Sequence, residues 1–164
     1  VETMAYAGSL PWHGLGKAVL PDLTPEQMLE EADLNWTVEK QDIFFEANGV
    51  NKPIPKRKAL VRQSDGKLLD IVGSEWNPLQ NLEAFEFFND FVHSGDMEMH
   101  TAGSLDGGRR VWALAKVNDA FEVFKDDVVE QYLLLSNPHQ YGLSIDVRMT
   151  PIRVVCNNTP LFCS

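Results

Sequence analysis

Met97-Glu98-Met99-His100-Thr101-Ala102-Gly103-Ser104 and Arg109-Arg110-Val111-Trp112-Ala113-Leu114-Ala115-Lys116-Val117 are two runs of strand composition. Between them stands Leu105-Asp106-Gly107-Gly108. Glycine supplies the positive φ that tight turns need, so the whole stretch reads as an antiparallel hairpin. A second hairpin is expected upstream, where residues 58–63 and 67–72 flank Ser64-Asp65-Gly66. Residues 36–47 also have strand composition and end at the turn signal Asn48-Gly49. Lys52-Pro53-Ile54-Pro55 is too rich in proline for a central strand. Downstream, residues 121–124, 128–136, 143–149 and 152–155 read as strands, with residues 137–142 as a loop.

Two helices interrupt this pattern. Thr24-Pro25-Glu26-Gln27 combines a capping hydroxyl, proline at the first helical position and a glutamine placed to reach back. Met28, Leu29 and Ala32 give that helix its apolar side, and it is expected to stop near Asp33 or Leu34. Asn77-Pro78-Leu79-Gln80 repeats the capping logic. Leu82, Phe85, Phe88, Phe91 and Val92 then fall on one helical face, and Gly95 ends the run. Hairpins dominate and no βαβ repeat occurs. The expected fold is α+β: a mainly antiparallel curved sheet built of hairpins, with two helices packed on it. Residues 1–20, with Pro11-Trp12-His13-Gly14-Leu15-Gly16, read as an ordered arm, and residues 21–164 as a single domain.

The 164 residues are 44% hydrophobic and 23% charged, which argues against wholesale disorder. No apolar run approaches the ~20 residues of a membrane helix, so no membrane association is expected, and no signal peptide is visible. The net charge of −10 counts against nonspecific coating of duplex DNA, because phosphate affinity comes from cations. Charge is unevenly spread. Six of the 14 basic residues lie between Lys52 and Lys67 with one acid, whereas the first 50 residues hold nine acids, Lys17 and Lys40.

No sequence pattern here completes a catalytic or metal site. Gly14-x-Gly16 and Gly103-x4-Gly108 lack the lysine of a P-loop, no Gly-x-Ser-x-Gly elbow occurs, and the four histidines show no ligand spacing. Cys156 and Cys163 fit no zinc pattern and read as free thiols of a reducing cytoplasm, with a disulfide between them as the alternative. No catalytic residue, metal or cofactor is expected. A functional loop at Trp12, His13 and Gly14 is one candidate. The cations Lys56, Arg57, Lys58, Arg62, Arg109, Arg110, Arg148 and Arg153 are the other: gathered on one surface they would hold phosphates, with Trp76 or Tyr141 stacking on bases.

Several strings together resemble a known family. They are Met4-Ala5-Tyr6-Ala7-Gly8 with Pro11-Trp12-His13-Gly14-Leu15-Gly16, Trp36-Thr37-Val38, Asn77-Pro78-Leu79-Gln80-Asn81 with Glu83-Ala84-Phe85, Thr101-Ala102-Gly103-Ser104 through Lys116, Tyr132-Leu133-Leu134-Leu135, and residues 150–159. Their order resembles the phage/plasmid-like conserved family classed as domain of unknown function 932. The resemblance implies a phage or mobile-element protein in the cytoplasm of a bacterial host, and a setting in nucleic-acid metabolism. The ending Pro160-Leu161-Phe162-Cys163-Ser164 departs from the family, which runs on into a helical region, so either a C-terminal region is missing or this is a short member. The element order is also similar to that of phage single-strand annealing proteins. The expected function is a non-enzymatic module, an oligomer that holds single-stranded DNA. The alternative is a protein-interaction module that meets a host or phage partner through its acidic face.

Overall fold

In chain order the elements are β1 (Met4–Ala7), β2 (Lys17–Val19), α1 (Pro25–Glu31), β3 (Val38–Ala47), β4 (Val50–Arg62), β5 (Leu68–Gly73), α2 (Asn81–Glu86) and α3 (Asn89–His93). Then come β6 (Met97–Leu105), β7 (Arg110–Val117), β8 (Phe121–Phe124), β9 (Asp127–Pro138) and β10 (Asp146–Val154). The structure, a computed structural model, describes residues 4–7, 16–118, 121–124 and 127–154. The larger sheet runs β10-β9-β7-β6-β1-β2, with β8 also on β9, and the smaller runs β3-β4-β5. All pairings are antiparallel except β1 with β2. The fold is α+β and mainly β. It has two sheets and three short helices where the sequence suggested one sheet and two helices.

The three expected turns form. Asn48 and Gly49 both take positive φ between β3 and β4. Asp65 accepts from the Lys67 amide at 3.1 Å between β4 and β5. Asp106–Gly108 makes one tight helical turn between β6 and β7. The proline stretch 52–55 lies inside β4, at the end where β3 is its neighbour and β5, which pairs with Arg57–Val61, does not reach. Proline is tolerated there because that end of β4 has no neighbour on its β5 side to lose a bond. The expected arm contributes two strands: Met4–Tyr6 pair with β6 and are buried. Trp12, His13 and Gly14 lie outside the described residues, as do Cys156 and Cys163.

Helix α1 starts as its sequence dictates. The Thr24 hydroxyl accepts from the Gln27 amide at 3.1 Å, and the Gln27 side chain accepts from the Thr24 amide at 2.9 Å. Such a cap stabilises a helix by about 1 kcal/mol. The second helix departs from expectation. It begins at Asn81 with Gln80 as its cap: the Gln80 backbone amide donates to Glu83 Oε1 at 3.3 Å, while the Gln80 side chain bonds both the N–H and the C=O of Val38, each at 2.9 Å. Asn77 caps nothing and instead accepts from Lys40 Nζ at 3.1 Å. The single expected helix is also broken at Phe87–Phe88 by tight i→i+3 bonds, Phe88 to Phe85 at 3.0 Å. That tightening stacks Phe85 and Phe88 on one side and buries both fully. Leu82 and Phe91, expected on the buried face, stay 41% and 37% exposed.

The main core lies between the helices and one face of the larger sheet. Large side chains on the helices (Met28, Leu29, Phe85, Phe88) meet small ones on the strands (Ala102, Ala113, Ala115). This division of volume lets the helices approach the sheet closely without voids. Each buried phenylalanine contributes about 2–3 kcal/mol of apolar burial. A second core joins Val38, Leu60, Leu69 and Val72, and Trp36 packs against both.

Candidate nucleic-acid interface

The eight expected cations fall into different environments. Lys58 pairs with Asp42, its cross-strand neighbour. Arg148 pairs with Asp146 at 2.6 Å, and Arg109 with Asp106 at 3.5 Å. Arg62 is not a surface cation. It is buried, and Asp65 takes it in a two-pronged contact at 2.6 and 2.9 Å. Arg110 is exposed at the start of β7. The backbone of Arg153 pairs with Val129, and its side chain lies outside the described residues. In four of the eight, a carboxylate already stands where a phosphate was expected.

Lys56 and Arg57 are different, and the backbone explains why. Lys58 stands opposite Asp42 and Pro53 opposite Phe44, so residues 54–57 of β4 bulge out against Ile43 alone. Lys56 at the centre has φ +62°, a left-handed conformation that side-chain-bearing residues rarely take. In a regular strand Lys56 and Arg57 would point to opposite faces. The bulge breaks the alternation, and both line one open cavity of about 590 Å³ with Gly73, Ser74, Glu75, Trp76, Tyr141 and Gly142. Among the described residues neither cation has a carboxylate within ion-pair distance. Glu75 on the rim offsets part of their charge.

Tertiary contacts fix the cavity walls. The Tyr141 amide donates to Asp70 at 2.8 Å, across 71 positions of sequence. The Arg57 guanidinium lies 5.6 Å from the Tyr141 ring centroid. Gly73 makes room for that ring, since a Cβ there would stand 2.9 Å from Tyr141 Cε2. Lys40 Nζ donates to the Ser74 carbonyl at 2.7 Å and steadies the turn that carries Trp76. The result is a cleft with two cations and two aromatic side chains, the combination that suits a base and its phosphate.

A family model described as Domain of unknown function (DUF932) matches residues 68–162, more than half of the chain. The chain belongs to the DUF932 family. Among curated proteins and solved structures, none matches it. The DUF932 match opens at the first residue of β5 and takes in Gly73, Ser74, Trp76 and Tyr141 of the cleft. Lys56 and Arg57 precede it.

In this DUF932 chain a buried polar junction, which no sequence motif announces, joins the two sheets. Arg62 lies over the Trp36 ring, 5.3 Å from its centroid, and reaches the Gly107 carbonyl at 3.5 Å. Gly108 allows that approach, because a Cβ there would come within 2.7 Å of Arg62 Nη1. His139, expected in a loop, follows β9 directly and is fully buried against Trp36, with ring centroids 5.4 Å apart. Its Nε2 meets Asn81 Oδ1 at 2.8 Å, and Asn81 Nδ2 donates to the Leu34 carbonyl at 3.0 Å. Burial lowers the His139 pKa from its ordinary 6.5 to about 4, so the ring is neutral. The Arg62 contact holds the Asp65 carboxyl down at about 2. These groups fasten the sheets together.

Proposed function

We propose that the protein binds single-stranded nucleic acid in the cleft between the β4 bulge and the β9–β10 loop. Tyr141 and Trp76 take bases by stacking, and Lys56 and Arg57 take the adjoining phosphates. One observation carries this reading: a strained bulge turns two successive cations into the same cleft as two aromatics from distant stretches. A local cation pair on a chain of net charge −10 suits one flexible strand better than a duplex, whose many phosphates need a broad basic surface. The acidic-face alternative draws less support. Glu31 pairs with Lys17, Asp42 with Lys58, and Gln41 and Gln63 hold the Glu39 carboxylate. Copies of the cleft repeated in an oligomer would give the annealing-like activity that the likeness in element order to single-strand annealing proteins suggests, in the phage or plasmid setting that the family resemblance implies.

The test is a fluorescence-anisotropy titration of labelled dT15 at 50 mM salt. Wild-type protein is expected to bind, with affinity falling as salt rises. Tyr141→Ala is expected to weaken binding at least about fivefold, and Arg57→Ala to flatten the salt dependence by about one phosphate contact. Absence of binding at low salt, or a Tyr141→Ala isotherm that overlays the wild type, refutes the reading.

A further inference from the structure

Past the Asp42–Lys58 pair, β3 and β4 continue without a third strand, because β5 pairs only with Arg57–Val61. Residues 43–54 are therefore a two-stranded ribbon closed by Asn48-Gly49. Such a ribbon is marginal alone in water, and an apolar surface on it calls for a partner. This one leaves Phe44 56%, Phe45 45% and Val50 56% exposed. Phe45 stands opposite Lys52, so an aromatic ring and a cation share one face, whereas Phe44 stands opposite Pro53 on the other. Residues 43–57 carry Lys52, Lys56 and Arg57 against the single acid Glu46, in a chain that is otherwise strongly acidic. The ribbon runs directly out of the bulge that places Lys56 and Arg57 in the cleft.

We infer that the ribbon is a second contact for the strand bound in the cleft, with Phe45 stacking on a base and Lys52 meeting a phosphate. This rests on the cleft reading given above. A polyanion with π-faces is the occupant that satisfies both features at once, since an acidic peptide would use the lysine and leave the ring bare. Because the bulge folds residues 54–57 against Ile43, the ladder from Lys58 to Lys52 advances only three positions of β3, from Asp42 to Phe45, about 10 Å at strand rise and a gap of roughly two to three nucleotides. A short oligonucleotide fills the cleft alone, and a longer one reaches the ribbon.

The experiment compares dT4 with dT15 on the whole chain, for wild type, Phe45→Ala, Lys52→Gln and Tyr141→Ala. Both ribbon positions are exposed, and an unchanged thermal midpoint confirms that each variant is folded. The expected result is that Phe45→Ala and Lys52→Gln weaken dT15 binding, Phe45→Ala by at least about fivefold, and leave dT4 unchanged. Tyr141→Ala is expected to weaken both. If dT4 binding depends on Tyr141 but dT15 is indifferent to Phe45 and Lys52, the ribbon inference fails and the cleft stands. If neither oligonucleotide binds, the cleft reading fails and takes the ribbon with it. Polyglutamate that displaces dT15 as well as unlabelled dT15 does would also overturn the inference, because the ribbon would then be reading charge alone.

Discussion

Replacing His139 by glutamine removes the buried titratable group that joins the loop after β9 to Asn81. The folded protein holds its imidazole neutral, with a pKa near 4, and the unfolded chain titrates near 6.5. Between these values the unfolded chain binds a proton that the folded one refuses, so the unfolding free energy falls as pH falls. The contribution is fully present above pH 6.5 and is lost between 6.5 and 4, at up to about 1.4 kcal/mol per unit and about 3 kcal/mol in all. At pH 5 the loss is about 2 kcal/mol, or roughly 4–8 °C in melting temperature for a chain of this size. Asp65, held at about 2 by Arg62, titrates below this window. His100 titrates with the same sign, because burial and then Lys116 lower its pKa, so the difference between proteins is the quantity to read. Urea unfolding of wild type and His139→Gln at pH 7.5, 6.5, 5.5 and 5 measures it. The lost bond to Asn81 makes the variant less stable by a constant amount, and its curve against pH is expected to be flatter by about 2 kcal/mol over the range. Parallel curves would refute the assignment of a neutral, desolvated His139.

Phe85→Ala is expected to cost about 3–5 kcal/mol in urea unfolding, and Leu82→Ala, although in the same helix, under about 1 kcal/mol, since Phe85 is fully buried and Leu82 is not. Gly73→Ala is expected to push the Tyr141 ring out of its place, with little change in melting temperature and about fivefold weaker binding of dT15 in the anisotropy titration. Unchanged affinity there would mean that ring position does not matter to the cleft.

Local chemistry determined what the sequence could say alone. The Thr24–Gln27 capping box, the Asn48-Gly49 turn and the Asp106–Gly108 hairpin involve neighbours a few positions apart, and each formed as read. The strand composition and the predominance of hairpins were enough for an α+β class. Long-range contacts decided the rest. Asn77-Pro78-Leu79-Gln80 has the marks of a helix start, yet Asn77 accepts from Lys40, Gln80 takes the capping position with its side chain on Val38, and the helix starts at Asn81. His139 is the loop residue that the sequence suggests, but nothing near it in sequence shows that Trp36 and Asn81 will enclose it. The basic cluster was visible as composition, but which cations are free was not. Pairing depends on the register that sets Asp42 against Lys58, and on a bulge that frees Lys56 and Arg57. A turn or a cap is satisfied by groups that the chain itself keeps adjacent. A cleft is made of groups brought together from 71 positions apart, and only the folded chain brings them within reach.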